Sequence, residues 1–260
     1  IIYKDGSRFI HDFNYGLNGN GITTTGRNTF VGLNAGNLTM GSTATSAGEA
    51  SYNTGIGAYS LYLNTTGNQN TANGALSLRS NTTGNQNTAN GYQSLYSNTT
   101  GNYNTANGYV SLNSNTTGYR NTANGAYSLY SNTTGNQNTA LGYNSGRYIA
   151  DGTTGRSTGN NGLYLGYNSM ASADGTNNEI VIGAGAIGKG SNTVTIGNSS
   201  ITDNYFKGKV HADQYKLSDL NTAPSSPTDR GVKGEIRVTA DAIYICIDKD
   251  TWVKTDLKAF

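Results

Sequence analysis

The sequence predicts an all-β chain of stacked short-strand coils, in 17- and 14-residue repeats, ending in a small β-meander. Three observations carry this. The phrase NTTG begins at Asn64, Asn81, Asn98, Asn115 and Asn132, 17 residues apart each time, and residues 64–74 return unchanged at 81–91. The 260 residues include 36 Gly and 19 Tyr but 2 Pro, and 12% are charged. No apolar stripe of helical period runs through the repeat, and its glycine content opposes helix. Glycine is not in the Gly-X-Y period of collagen, and the regular repeat with its tyrosines argues against disorder.

Residues 1–21 precede any clear repeat and are expected to be an attachment segment or the continuation of a longer fibre; the chain begins Ile1-Ile2. A repeat shaft is expected over 22–150, with NTFVGLNAG at 28–36 matching NTALGYNSG at 138–146. Each unit reads N-T-T-G-x-x-N-T-A-(N/L)-G-x-x-S-x-x-x. Asn-Gly pairs such as Asn73-Gly74 mark positive φ, and Thr65-Thr66-Gly67 marks a second bend. Short stretches of Thr, Tyr, Leu and Ser between the bends suit extended chain, giving two or three very short strands per coil. Coils stacked at about 4.8 Å would set Asn over Asn and Thr over Thr.

Only Ala72 and Leu78 and their equivalents recur as apolar positions in the unit. Burying two such groups per coil falls well short of offsetting the ordering of the coil's residues. Three chains wrapped around a common axis would bury these residues against one another. A monomeric solenoid is the alternative.

The period then changes. NGLYLG (161–166), NEIVIG (178–183) and NTVTIG (192–197) are one motif, separated by 17 and then 14 residues, and predict a β-roll over 151–202. Residues 203–229 read as a neck, broken by Pro224 and Pro227. Residues 230–260 read as a tip with strands at 234–239, 242–247 and 252–257. It is too small to be stable alone. Three copies would share a core of Ile236, Val238, Ile243, Ile245, Ile247 and Val253.

VIGAGAIGKGSNTVTIG (181–197) resembles the 14-residue head repeats of trimeric autotransporter adhesins, which are trimers of parallel β-rolls. The 17-residue units, followed by KGEIRVTADAIYICIDKDTWVKTDL (233–257), look more like fibre proteins of bacteriophages, prophages and phage-like injection systems. That resemblance covers most of 28–260; the chaperone or self-cleaving C-terminal domain common in such fibres is not among these residues, so it is expected either to have been removed or not to be needed for trimerisation. It implies a homotrimeric fibre on a virion or extracellular phage-like particle. The fibre would join other tail or baseplate proteins and attach to a surface glycan or an outer-membrane protein of a bacterium. The rivals are a bacterial trimeric adhesin at the cell surface, an ice-binding β-solenoid using the Thr rows, a depolymerase tailspike and a capsid decoration fibre.

No catalytic constellation is visible. Residues 51–150 hold Arg79, Arg120 and Arg147 and neither an acid nor a histidine, so carboxylate or triad chemistry has no place there. A net charge of +2 does not nominate nucleic acid. No cofactor or metal is expected. His211 copies meeting on a trimer axis would be a metal site, but the His-x-His spacing of such tips is absent. DGTNNE (174–179) has the oxygen-rich look of a calcium loop without EF-hand spacing, and a turn explains it as well. Cys246 in IYICI reads as a buried structural thiol, and the Asn of each NTT sequon as a turn or ladder residue. Tyr96, Tyr103, Tyr119 and Tyr130 read as packing or solvated residues before they read as a sugar-binding row. The residues expected to touch a receptor are Tyr244 and Trp252, with core packing as the competing role for Trp252.

Overall fold

The structure, a computed structural model, describes residues 2–4, 7–13, 16–202, 204, 223–231 and 233–257. Residues 203 and 205–222 of the expected neck, His211 among them, lie outside the described residues. The chain divides into two compact units, 1–203 and 204–260. Among the described residues every regular element is a β-strand.

The first unit is one 12-stranded sheet taken in chain order. Strand β1 (Ile2–Lys4) pairs antiparallel with β2 (Ser7–Phe13), and β2 pairs antiparallel with β3 (Asn28–Val31). From β3 onward all pairing is parallel, through β4 (Thr54–Ile56), β5 (Thr71–Asn73), β6 (Thr88–Asn90), β7 (Thr105–Asn107), β8 (Thr122–Asn124) and β9 (Thr139–Leu141). β10 (Leu163–Leu165), β11 (Ile180–Ile182) and β12 (Val194–Ile196) continue the stack. The sequence period is the structural period: Thr71 faces Thr88, Thr88 faces Thr105, and Thr105 faces Thr122. This is a β-solenoid, with one strand of three residues per coil rather than two or three. The turns carry the other contacts between coils, as in Thr82 N to Thr99 O (3.0 Å) and Leu95 N to Ser111 O (3.0 Å).

The interior follows from the period. Each short strand turns its middle residue inward, so Ala72, Ala89, Ala106, Ala123 and Ala140 form one buried column. Leu61, Leu78, Leu95, Leu112 and Leu129 form a second. Both columns are fully buried within a single chain, so the expectation that they need neighbouring chains is corrected. The reason is that polar side chains fill the rest of the interior. Asn53, Asn70, Asn87, Asn104, Asn121 and Asn138 make one ladder, each amide nitrogen donating to the preceding Oδ1 at 3.1–3.2 Å. Asn64, Asn81, Asn98, Asn115 and Asn132 make a second, at 2.7–2.9 Å. A glycine carbonyl joins the two: Gly101 O accepts from Asn87 Nδ2 (2.8 Å) and from Asn98 Nδ2 (3.0 Å).

That junction explains the glycine of Thr-Thr-Gly. A Cβ on Gly101 would stand 2.4 Å from both Asn98 Oδ1 and Gly118 O, so the position needs close approach rather than unusual φ. Positive φ falls elsewhere. Gly91 has φ 134°, but Asn90 before it is ordinary strand. The left-handed non-glycine residues are Gln86 (56°), Gln93 (52°) and Leu95 (50°), with equivalents in neighbouring coils. Such residues cost about 1–2 kcal/mol each, and backbone bonds to neighbouring coils hold them in place, as in Gln86 N to Asn68 O and Gln93 N to Ala75 O (both 3.0 Å).

The ends of the columns conserve volume by exchange. Where the leucine column reaches Gly146, Tyr164 replaces the alanine, and a Cβ on Gly146 would lie 2.9 Å from Leu129 and 3.0 Å from the Tyr164 ring. At the other end Phe30 fills the space that Gly36 and Gly55 leave open. The step lengthens to 24 residues between Thr139 and Leu163, returns to 17, and is 14 between Ile180 and Val194.

The second unit contains an antiparallel sheet of β13 (Ile236–Val238), β14 (Ala242–Asp248) and β15 (Thr251–Asp256). One face packs Ala242, Cys246 and Trp252. The other carries Ile236, Ile245 and Val253 side by side in register, all exposed, with Ile247 beyond them.

Two substitutions test the interior. Asn104→Ala takes one donor from Asn87 Oδ1 and from Gly118 O and removes the acceptor of Asn121 N and Nδ2, and is expected to destabilise the chain by about 3 kcal/mol, whereas the exposed Thr83→Ala stays within about 0.5 kcal/mol in urea unfolding. Gly101→Ala is expected to lower the melting temperature clearly, and Gly19→Ala, where a Cβ meets nothing within 4 Å, to leave it unchanged in the same calorimetric scan.

Candidate binding surfaces

The sequence-predicted sites sort by where the fold puts them. The sequon asparagines Asn64, Asn81, Asn98, Asn115 and Asn132 are fully buried ladder rungs. In DGTNNE, Asp174 accepts from the backbone nitrogens of Ser157, Thr158 and Gly175 and from the Ser157 hydroxyl, so donors rather than a cation surround its carboxylate. Glu179 of the same stretch points into the core. Among the described residues no cluster of His, Cys, Asp or Glu is arranged to hold a metal. Cys246 is buried, with Sγ 2.9 Å from Asp248 O.

The two expected receptor residues come together. Tyr244 faces Lys254 and Cys246 faces Trp252 in the β14–β15 register, which puts Tyr244 and Trp252 on one face. They line a cleft of about 270 Å³ with Pro224, Pro227, Val253 and Lys254. Trp252 itself is 6% exposed. Its Nε1 donates to Asp229 O at 2.9 Å, the Arg237 guanidinium lies 4.5 Å from its ring centre, and Gly231 packs so closely that a Cβ would sit 2.5 Å from the ring. Trp252 is thus the floor of the cleft and Tyr244 its accessible aromatic.

The Thr rows divide as adjacent strand-like positions should. Thr65, Thr82, Thr99 and Thr116 donate their hydroxyls to the next coil's carbonyls at 2.9–3.1 Å. Thr66, Thr83, Thr100 and Thr117 line an open groove beside Asn68, Asn85 and Asn102. The exposed face is therefore Thr-x-Asn, not the Thr-x-Thr array that the ice-binding reading requires.

A feature that residue types alone do not reveal is a buried polar cluster at the end of the ladders. The rung after Asn132 is Arg156, and the other ladder passes from Asn138 to Gly162 and then to Glu179; Arg156 and Glu179 are fully buried. Arg156 Nη2 donates to Asn138 Oδ1 at 3.1 Å, and its guanidinium lies 5.0 Å from the Tyr164 ring centre. Glu179 accepts from Thr176 Oγ1 (2.9 Å), Gly190 N (3.0 Å), Ser172 N (3.2 Å) and Tyr164 Oη (3.3 Å). Burial pushes the Tyr164 hydroxyl up to about 12, with Arg156 opposing and Glu179 adding to the shift. The cluster is sealed and structural. Its sequence signal was a charge standing at a ladder position, legible only once the 24-residue step is known.

On the outside, tyrosines gather on one side. Tyr92 stacks on Tyr109 (5.5 Å between centroids, 15°), Tyr109 meets Tyr127 (5.4 Å), Tyr127 meets Tyr143 (5.8 Å), and Tyr143 stacks on Tyr167 (5.6 Å, 11°). Tyr96 and Tyr130 flank this row, with Arg79 5.6 Å from the Tyr96 ring centre and Arg147 4.6 Å from that of Tyr130. Tyr103 and Tyr119 stand apart from it, each within 5.9 Å of Arg120.

Comparison of the chain with protein-family models, with curated proteins and with solved structures finds no match.

The Tyr164 hydroxyl sets a pH dependence. Below pH about 10 it is protonated in folded and unfolded chain alike, and its contribution is complete. As pH rises toward about 12 the unfolded chain releases this proton while the folded chain holds it, so stability falls. Thermal unfolding across pH 9–12 is expected to show that loss, and Tyr164→Phe to lessen its slope.

Proposed function

We propose that the chain is a non-catalytic fibre protein that attaches a phage or phage-like particle to a bacterial surface. The observation that carries this reading is a division of labour. The first unit is a solenoid whose interior hydrogen bonds are closed within each pair of coils, as a stiff spacer requires. The second unit is a small sheet with an aromatic cleft and an exposed apolar face, as a contact module requires. The resemblance of the repeat and of 233–257 to phage fibres supplies the particle.

In this reading Tyr244 and Trp252 touch the receptor, a surface glycan or outer-membrane protein. Three chains associate through the face of Ile236, Ile245, Ile247 and Val253 rather than by wrapping the shaft. Each apolar side chain so buried contributes about 1.5–3 kcal/mol, and three joined tips convert weak contacts into avidity. The 14-residue step between Ile180 and Val194 favours the bacterial adhesin as the second reading.

Light scattering of the whole chain is expected to give a mass near three chains, and Ile245→Lys with Val253→Lys to reduce it to one. Labelled chain is expected to bind intact cells of some members of a broad bacterial panel, with Tyr244→Ser weakening that binding at unchanged mass. A native chain that binds no cell in the panel overturns the attachment reading.

A further inference from the structure

We propose that the tyrosine row on the solenoid is a second binding surface, which takes an anionic polysaccharide strand lying along the stack. The inference rests on the solenoid alone and does not depend on what particle, if any, the chain serves.

The first observation is continuity. Tyr92, Tyr109, Tyr127, Tyr143 and Tyr167 belong to five successive coils, and each ring touches the next at 5.4–5.8 Å. At about 4.8 Å per coil the row is about 20 Å long. Four of the five are 42–58% exposed, so the row is open to solvent. Such a strip suits a linear polymer with a flat C–H face on each unit, which is what a pyranose chain presents. Flat aromatic faces accept C–H groups through their negative quadrupole.

The second observation is charge. Between residues 51 and 150 there are three arginines and no acid. Arg79 and Arg147 stand beside this row: Arg79 between the Tyr62 and Tyr96 rings (5.7 and 5.6 Å), Arg147 among Tyr127, Tyr130 and Tyr148 (4.6–4.7 Å). Among the described residues of the first unit no arginine forms an ion pair. Glu49 is engaged with Thr45, and Asp151 with Thr153 and Thr154. Arg147 Nη1 is held by Asn144 Oδ1 (2.9 Å), and the guanidinium donors of Arg79 and Arg147 that the chain leaves open have as their natural complement a carboxylate or phosphate brought by the ligand. A second copy of the solenoid is a poor occupant, because its corresponding stretch holds no carboxylate and would bring arginine against arginine.

The interior explains why such a surface can exist. The ladder positions are held to Asn and Gly, whereas the outward column 75, 92, 109, 126, 143 reads Ala, Tyr, Tyr, Ala, Tyr. Aromatic residues are placed there coil by coil without disturbing the stack.

The test uses the whole chain and three linear polymers of matched length: polygalacturonate, a phosphodiester-linked glycan and neutral amylose. Titration calorimetry is expected to show binding to at least one charged polymer, weakening as salt rises. The tighter of the two charged polymers assigns the acidic group. Tyr109→Ala and Tyr143→Ala are each expected to weaken binding about tenfold, while Tyr103→Ala, away from the row, leaves it unchanged. Arg147→Gln is expected to reduce the salt dependence and Arg147→Lys to preserve it. Arg79→Gln is the parallel variant should Arg147→Gln not fold. Binding to neither charged polymer, equal binding to amylose, or equal loss with Tyr103→Ala overturns the proposal. So does a chain whose row variants change its mass in solution but not its glycan binding.

Discussion

The structure depends on one constraint: a carboxamide buried in a coil is satisfied by an identical carboxamide in the next coil, together with a glycine carbonyl. Asn87 illustrates it. Its Nδ2 donates to Asn70 Oδ1 and Gly101 O, and its Oδ1 accepts the backbone nitrogen and the Nδ2 of Asn104. Every hydrogen-bonding site of the side chain is used. A buried amide left unpaired costs far more than a paired one gains, so the repeat tolerates no drift at these positions. The exact return of NTTGNQNTANG, and the near-absence of charge from the shaft, are what that constraint looks like in sequence.

The constraint also dictates how the ladders end. Asn132 has no asparagine after it, and its Oδ1 has no hydrogen-bond partner among the described residues. The next rung is the buried Arg156, which reaches across to Asn138 while Glu179 gathers four donors further on. The cluster of these two buried charges, which form no ion pair with each other, is not a source of stability in itself, since desolvation opposes the burial of each. Its placement does distinguish this coil from the near-identical ones before it, among which a 17-residue slip would leave nearly every contact intact.

Interior identity leaves exterior freedom. Columns that point outward vary between Tyr, Arg, Gln, Leu and Ala without altering a single ladder bond, so any recognition by the solenoid has to reside in them. The second unit solves a different problem. Its small sheet closes over Trp252 and Cys246 but leaves Ile236, Ile245 and Val253 uncovered. A solenoid that closes its own hydrogen bonds and a sheet that exposes apolar surface have opposite needs, and the change in charge density along the chain reflects that difference.

The sequence by itself determined the fold class, the one-to-one match of repeat and coil, the stacking of Asn on Asn and the three strands of the C-terminal sheet. These are properties of spacing and of local alternation, which the chain states directly. It also located Tyr244 and Trp252 in the same small module, though not that Trp252 would be floor and Tyr244 rim. Only the tertiary structure decided what fills the interior. Counting Ala72 and Leu78 as the sole core underestimated it, because asparagine looks like a surface residue until its partner 17 residues away is in place. The left-handed non-glycine residues were likewise hidden: the Asn-Gly pairs did mark positive φ, at their glycines, whereas Gln86, Gln93 and Leu95 take a left-handed conformation because bonds to neighbouring coils hold them there. The exchange of Gly146 with Tyr164, and the gathering of the tyrosines on one side, depend on which coils are neighbours and on a 24-residue step that no local pattern announces.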